Sequence, residues 1–154
     1  MIKKALFGAG CFWGVEENFR KVIGVKNTEV GYSGGNTIAP TYENVCAGNT
    51  NHAEVVLLDF DETEISYHDL LNHFWKCHDP TTLNRQGPDI GTQYRSVIFY
   101  YDDFQKKTSL ESKVLFENKY NLNVVTEISE AKDFYRAEEY HQRYIQKTGL
   151  YCAS

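Results

Sequence analysis

Gly10-Cys11-Phe12-Trp13-Gly14 sets one thiol beside two large aromatic rings, with a glycine on either side. The flanking sequence gives this stretch its place in a fold. Met1 to Gly8, carrying Ile2, Ala5, Leu6 and Phe7, reads as a short strand, and Val15 to Ile23 has helical spacing, so Cys11 falls at a strand-to-helix turn. The first N–H groups of a helix have no partner within it and carry partial positive charge, which favours a thiolate over a thiol. The pKa of about 8.5 of a free cysteine can fall at such a position into the range of about 3.5–7.5. Phe12 and Trp13 would give the sulfur an apolar wall, while Gly10 and Gly14 let backbone approach closely. A buried structural cysteine is the plain alternative, and the glycine and aromatic neighbours weigh against it.

Downstream, Val25 to Tyr32 alternates like a strand and ends at the turn Ser33-Gly34-Gly35-Asn36. Asn36 to Asn51 reads as a loop holding Pro40-Thr41-Tyr42 and Val45-Cys46-Ala47-Gly48, with Cys46 packed as a small hydrophobe. His52 to Phe60 is a strand in which Glu54 shares a face with Val56 and Leu58. That parity pushes the carboxyl toward the core, where desolvation favours the protonated acid. Ile65 to Lys76 is an amphipathic helix with Ser66 as N-cap and Leu70, Leu71, Phe74 and Trp75 inward. A polar Gly/Pro loop, His78 to Gly91, then delivers Thr92-Gln93-Tyr94 to a strand over Ser96 to Tyr101.

Asp103 to Lys119 has the spacing of a long solvated packing helix, with Leu110, Val114 and Leu115 apolar among Lys and Glu. Val124 to Ile128 and Phe134-Tyr135 predict two more short strands, and Ala137 to Gln146 a final helix. Residues 148–154 are expected to form a mobile tail that carries Cys152. Strands and helices interleave without repeat or linker, which predicts a single α/β (α+β) domain over residues 1–154. The expected architecture is a two-layer sandwich, a mixed β-sheet with helices packed on it and an irregular C-terminal tail.

The 154 residues are 42% hydrophobic and 14% aromatic, enough for one sizeable core. A net charge of −5 and the lack of any basic run remove the electrostatic case for nucleic acid or anionic membrane. Apolar runs are far shorter than a membrane span and Met1 leads straight into a strand, so a cytoplasmic protein is expected. In that compartment the four cysteines, Cys11, Cys46, Cys77 and Cys152, point to reduced, catalytic or metal-binding thiols before a static disulfide framework.

A sulfenic acid on one thiol condenses with a second that can reach it, and Cys11 on a helix end with Cys152 on a tail meets that requirement. An end residue without a role is the alternative for Cys152. His68, His73, Cys77 and His78 gather around one helix, but their spacing argues against a metal site: His68 does not share the face of His73 and Cys77, and His78 turns away.

GCFWG followed by Glu16, GYSGG at 31–35, PTYENVCAG at 40–48, HAEVV at 52–56, HDPTTLNRQGPDIGTQYRS at 78–96 and YHQRYI at 140–145 together resemble peptide methionine sulfoxide reductase of the A type. The resemblance covers essentially the whole chain. It implies that Cys11 attacks the sulfoxide sulfur, that Phe12 and Trp13 hold the substrate methyl group, and that Glu54 is the acid. It implies further that Tyr42, Tyr94 and Asp89 complete the catalytic set and that Cys152 is the resolving cysteine. The residue chemistry agrees, because a sulfoxide oxygen leaves as water only if a proton reaches it, and Glu54 held neutral can give one. Tyr42 and Tyr94 are neutral donors able to orient that oxygen.

The expected activity is thiol-dependent reduction of the S epimer of methionine sulfoxide, protein-bound or free, through a Cys11 sulfenic acid and a Cys11–Cys152 disulfide. No cofactor or metal is expected. The resemblance implies that thioredoxin or another dithiol resets the enzyme, and a monomer acting in the repair of oxidised proteins is expected. The sequence departs from the family pattern in two ways: no further cysteine follows Cys152, and Asn51 stands where the family often has Gly. A thiol peroxidase using Cys11 and Cys152, and a metal-binding module on His68, His73, Cys77 and His78, are the alternatives.

Overall fold

The computed structural model describes residues 1–150; Cys152, and with it the expectation of a mobile tail beyond Leu150, lies outside the described residues. The elements in order are β1 (Ile2–Ala9), α1 (Phe12–Arg20), β2 (Val25–Ser33), α2 (Tyr42–Cys46), β3 (Ala53–Asp61), α3 (Tyr67–Lys76), β4 (Arg85–Gln86), β5 (Asp89–Ile90), β6 (Ser96–Tyr100), α4 (Asp103–Tyr120), β7 (Glu127–Glu130), β8 (Tyr135–Arg136) and α5 (Tyr144–Thr148). Among the described residues, one six-stranded sheet runs β7-β6-β1-β3-β2-β8, and β4 and β5 pair in a small hairpin. Every pairing in the large sheet is antiparallel except β6 with β7, so the sheet is mixed, as the sequence predicts.

β1 lies between β3 and β6 and is covered on both faces. On one face Ala5, Phe7 and Ala9 join Val30, Tyr32, Val56, Leu58 and Phe60 under Val15 and Phe19 of α1 and Leu70, Leu71 and Phe74 of α3. Phe7 is the hinge of this layer, 5.5 Å from Phe19 and 5.1 Å from Phe74 between ring centroids. On the other face Leu6, Val55, Val97 and Phe99 pack under Ala131 and Phe134, chain without regular structure. The layers are thus helices and sheet, with coil closing the second face. Among the described residues no helix is long and apolar enough to cross a membrane.

Several expectations need correction, among them the strand predicted over Val124 to Ile128, which forms as β7 only from Glu127 onward. The loop over 36–51 contains α2, closed by a capping box in which Thr41 Oγ1 accepts from Asn44 N–H and Asn44 Oδ1 from Thr41 N–H. The loop over 78–91 contains the β4–β5 hairpin. α4 leaves Leu110, Val114 and Leu115 exposed and buries Gln105, Ser109 and Ser112 instead, because the side facing it offers polar tips: Trp75 Nε1–H donates to Ser112 Oγ at 2.8 Å and the Tyr67 hydroxyl meets Ser109 Oγ at 3.3 Å.

The final helix over 137–146 is a 3-10 turn, Glu139–His141, followed by α5, with Arg143 between them at φ 52. Two distant side chains break it. Gln142 turns inward to accept from Val30 N–H and donate to Val30 C=O, both at 2.9 Å, and buried Glu16 accepts from Arg143 N–H at 2.7 Å. α5 then ends on Gly149 at φ 72, so residue 148 still belongs to a helix.

Candidate active site

β1 hands the chain to α1 through Gly10, whose φ of 99 is a backbone state that side chains rarely adopt. Cys11 follows as the N-cap of α1, 8% exposed, with no side-chain hydrogen bond to the helix amides. The amide next to it is taken by the neighbouring strand. Phe12 N–H donates to Glu54 Oε1 at 3.2 Å, which brings a carboxyl 2% exposed to the end of the helix that Cys11 caps. Glu54 reaches this point because β3 presents it on the helix face with Val56 and Leu58, opposite Tyr32 of β2.

Tyr42 opens α2 and Tyr94 closes a 3-10 turn at Thr92–Tyr94, just ahead of β6. Burial raises both phenols above the ordinary tyrosine pKa; Tyr42 gains further from a hydrogen bond with Cys46, and both from the charge of Glu54. Tyr94 also feels the charges of Asp89 and Cys11, and Tyr42 feels Tyr94. Burial in turn raises Asp89, which sits half-buried on β5. Cys46 departs from the sequence reading: it is exposed, with its thiol beside the Tyr42 hydroxyl rather than packed in the core.

Phe12 is 1% exposed and half-buried Trp13 stands next to it. Trp13 is held twice by the C-terminal segment, its Nε1–H donating to His141 Nδ1 at 2.9 Å and its ring stacking on Tyr144 at 3.9 Å and 11°. The Phe12 ring lies 5.7 Å from Tyr32, 6.5 Å from Tyr42 and 5.2 Å from His141.

Glu138 ties these pieces together, accepting from the Tyr32 hydroxyl at 2.9 Å and from Tyr42 N–H at 3.0 Å. Burial pushes its carboxyl up, but those donors outweigh it and leave the pKa lowered. Tyr32, Glu138, His141 and Tyr144 escaped the sequence reading. For Tyr32 a signal existed, since strand parity puts it on the Val30 face; for His141 and Tyr144 it was their three-residue spacing within YHQRYI.

The loop ahead of β3 is fixed by His52, whose Nδ1 accepts from Gly35 N–H at 2.9 Å and whose Nε2 lies 2.7 Å from Thr37 C=O. A Cβ on Gly35 would stand 2.4 Å from His52 N, so only glycine allows this approach. Asn51 has φ 60, which explains how Asn replaces Gly there: among non-glycine residues it enters the left-handed region most readily.

The histidine and cysteine cluster on α3 is differently organised. His68 and His73 are exposed, whereas His78 Nδ1 lies 2.8 Å from Phe74 C=O and its Nε2 2.7 Å from Ser96 Oγ. Among the described residues no group of three His, Cys, Asp or Glu side chains is placed to hold a metal ion.

A model of the peptide methionine sulfoxide reductase family matches residues 3–154. The peptide methionine sulfoxide reductase MsrA of Methanothermobacter thermautotrophicus is 58% identical over 147 residues, covering 94% of this chain and 87% of that protein. Mxr1 from Saccharomyces cerevisiae in reduced form matches with a TM-score of 0.93 at 38% identity, over 99% of this chain and 88% of that one. Mxr1 in complex with Trx2 matches with a TM-score of 0.67 at 26% identity, over 93% and 84%.

Proposed function

The chain belongs to the peptide methionine sulfoxide reductase family, and we propose that it reduces the S epimer of methionine sulfoxide, in proteins, peptides and the free amino acid, with Cys11 as nucleophile. One observation carries the assignment of roles: Phe12 N–H bonds Glu54 Oε1 at 3.2 Å, setting a buried carboxyl at the helix end that Cys11 caps. A thiolate and a carboxylate at one buried helix terminus repel, so ionising Cys11 favours the protonated form of Glu54. That is the pair the reaction needs.

The Cys11 thiolate attacks the sulfoxide sulfur while Glu54 delivers a proton to the sulfoxide oxygen, which Tyr42 and Tyr94 orient. Both phenols stay neutral donors, since burial raises them above their ordinary pKa. Asp89 positions backbone or water at the rim, and Phe12 and Trp13 take the methyl group. The substrate S–O bond and the transient bond between the two sulfurs break as the protonated oxygen bonds to Cys11, which leaves methionine and a Cys11 sulfenic acid. The Cys152 thiol then displaces water to give a Cys11–Cys152 disulfide, and a dithiol returns both sulfurs to thiols. Thioredoxin is the proposed dithiol, with support from the related structure of Mxr1 with Trx2. No cofactor is required, and the enzyme acts as a single catalytic domain, a cytoplasmic monomer repairing oxidised proteins.

Single turnover of the reduced protein with separated R and S epimers of a methionine sulfoxide peptide tests this. Two thiols lost per methionine formed, from the S epimer alone, is the expected result. Methionine from neither epimer would overturn the proposal.

A further inference from the structure

YHQRYI is the motif that the proposed chemistry leaves without a task, and its histidine sits at the centre of the site. His141 is 1% exposed. Its ring centroid lies 5.2 Å from Phe12, 4.4 Å from Tyr42 and 4.0 Å from Tyr140, and its Nδ1 accepts the Trp13 indole N–H at 2.9 Å. An indole N–H only donates, so Nδ1 must be the bare nitrogen and the ring proton sits on Nε2. That tautomer is the only one of the ring's states that receives Trp13: the other tautomer and the imidazolium both present N–H to N–H.

We propose that His141 is a positioning residue for substrate binding, holding Trp13 as the wall of the methyl pocket through the Nδ1 acceptor of its neutral Nε2–H tautomer. The inference rests on the reductase reading for the identity of the pocket, not for the Trp13–His141 contact. A tryptophan on the first turn of a helix has rotamer freedom, and two restraints remove it here: stacking on Tyr144 fixes the plane of the indole and His141 fixes its direction. The wall then accepts substrate without ordering a side chain at each binding event, a gain that appears in KM.

Acid should loosen the wall. Burial lowers the His141 pKa, the Glu138 charge works against that shift, and the Lys147 charge adds to it. The other titratable groups packed against it, Tyr42 and Tyr140, are raised phenols that stay neutral throughout, and Tyr42 in turn feels Cys46 and Glu54. Protonation of Nδ1 replaces the acceptor by a donor and releases Trp13.

The test uses two substitutions of different geometry. His141→Phe keeps the ring packing and removes the acceptor, whereas His141→Asn places an oxygen near the position of Nδ1 that does not titrate above pH 4. For a methionine sulfoxide peptide at pH 7, His141→Phe is expected to raise KM about tenfold with kcat within about twofold, the effect of one lost buried hydrogen bond. His141→Asn is expected to restore KM, and to keep it flat on acidification below pH 6.5, where that of the unsubstituted enzyme rises. If His141→Phe does not fold, His141→Gln takes its place, because its amide reaches the Nε2 position and leaves Nδ1 empty.

A second readout needs no turnover. In a Trp75→Phe background Trp13 is the one tryptophan left, and its emission should be quenched on acidification with a midpoint below about 6.5, the ordinary histidine value. The same titration with His141→Asn should be flat. Equal KM defects for the Asn and Phe variants, or an acid transition that persists without His141, would refute the proposal. A Trp13 titration that behaves as expected in a protein without sulfoxide reductase activity would instead sink the reductase reading and leave the contact standing.

Discussion

Cys11 and Cys77 each sit at the terminus of a helix, yet the two ends of a helix ask opposite things of a sulfur. Cys11 is the N-cap of α1, at the positive end of the helix dipole, and the first amide beside it is bonded to a buried carboxyl. Cys77 is the C-cap of α3, where carbonyls point at it, and its thiol donates to Phe74 C=O at 3.3 Å. Burial pushes the Cys77 pKa up to about 12. Beside it, burial lowers His78 to about 4 although the carbonyl of Phe74 pulls the other way. A helix N-terminus favours a charged sulfur by its dipole, whereas burial at the C-terminus of α3 keeps Cys77 and His78 neutral.

The sharpest way to break this contrast is to remove each sulfur in turn. Cys11→Ser should lower the rate of methionine formation by on the order of 10⁴-fold, while Cys77→Ser should leave kcat/KM within about twofold of the parent. A Cys77 variant as dead as the Cys11 variant would show that both helix ends serve the reaction. Alkylation with iodoacetamide compares the thiols without substrate: at pH 7 Cys11 should react on the order of 10³-fold faster than Cys77, read by mass spectrometry of the digested protein.

Glu54→Gln sharpens the comparison from the other side. It keeps an acceptor for Phe12 N–H but has no acid proton, and should slow sulfoxide reduction by about 10²-fold with Cys11 alkylation much less affected. Parallel loss of both would place Glu54 in thiolate formation rather than proton delivery.

The smallest effect is one of stability. His78 holds fewer protons folded than unfolded between its lowered pKa and the ordinary value of 6.5. The fold should therefore lose stability as pH falls through that window, by about 3 kcal/mol between pH 6.5 and 4. Urea titrations of His78→Asn across the same range should show a flatter dependence, and an unchanged slope would remove His78 as the cause.

Elements long enough to carry a period were read correctly; short elements, and those set by distant partners, were not. β1, α1, β2, β3, α3, β6 and α4 each carry their own periodicity over five to eighteen residues, and strand parity alone placed Glu54 on the helix face. α2 is too short for a period, and its start is written in the side chains of Thr41 and Asn44. The break at Arg143 depends on Val30 and Glu16, more than a hundred residues away in the chain, so 137–146 looked helical when read alone. α4 hides serines because Tyr67 and Trp75 require hydrogen-bond partners, a need that no hydrophobicity pattern records. For the same reason the site was legible in its GCFWG and HAEVV half and blank in its C-terminal half, where Glu138, His141 and Tyr144 act through side chains of other elements.

The Gln142 clasp has a consequence for how copies of the molecule meet one another. β8 pairs with β2 only at Gly31 and Tyr32; just beyond, Val30 would offer a stranger's strand an open N–H and C=O. The Gln142 amide answers both, and Ala137 N–H bonds the same carbonyl at 2.9 Å. One side chain and one backbone amide thus occupy Val30 where β8 stops and deny that stretch of the margin as a template for edge-to-edge growth.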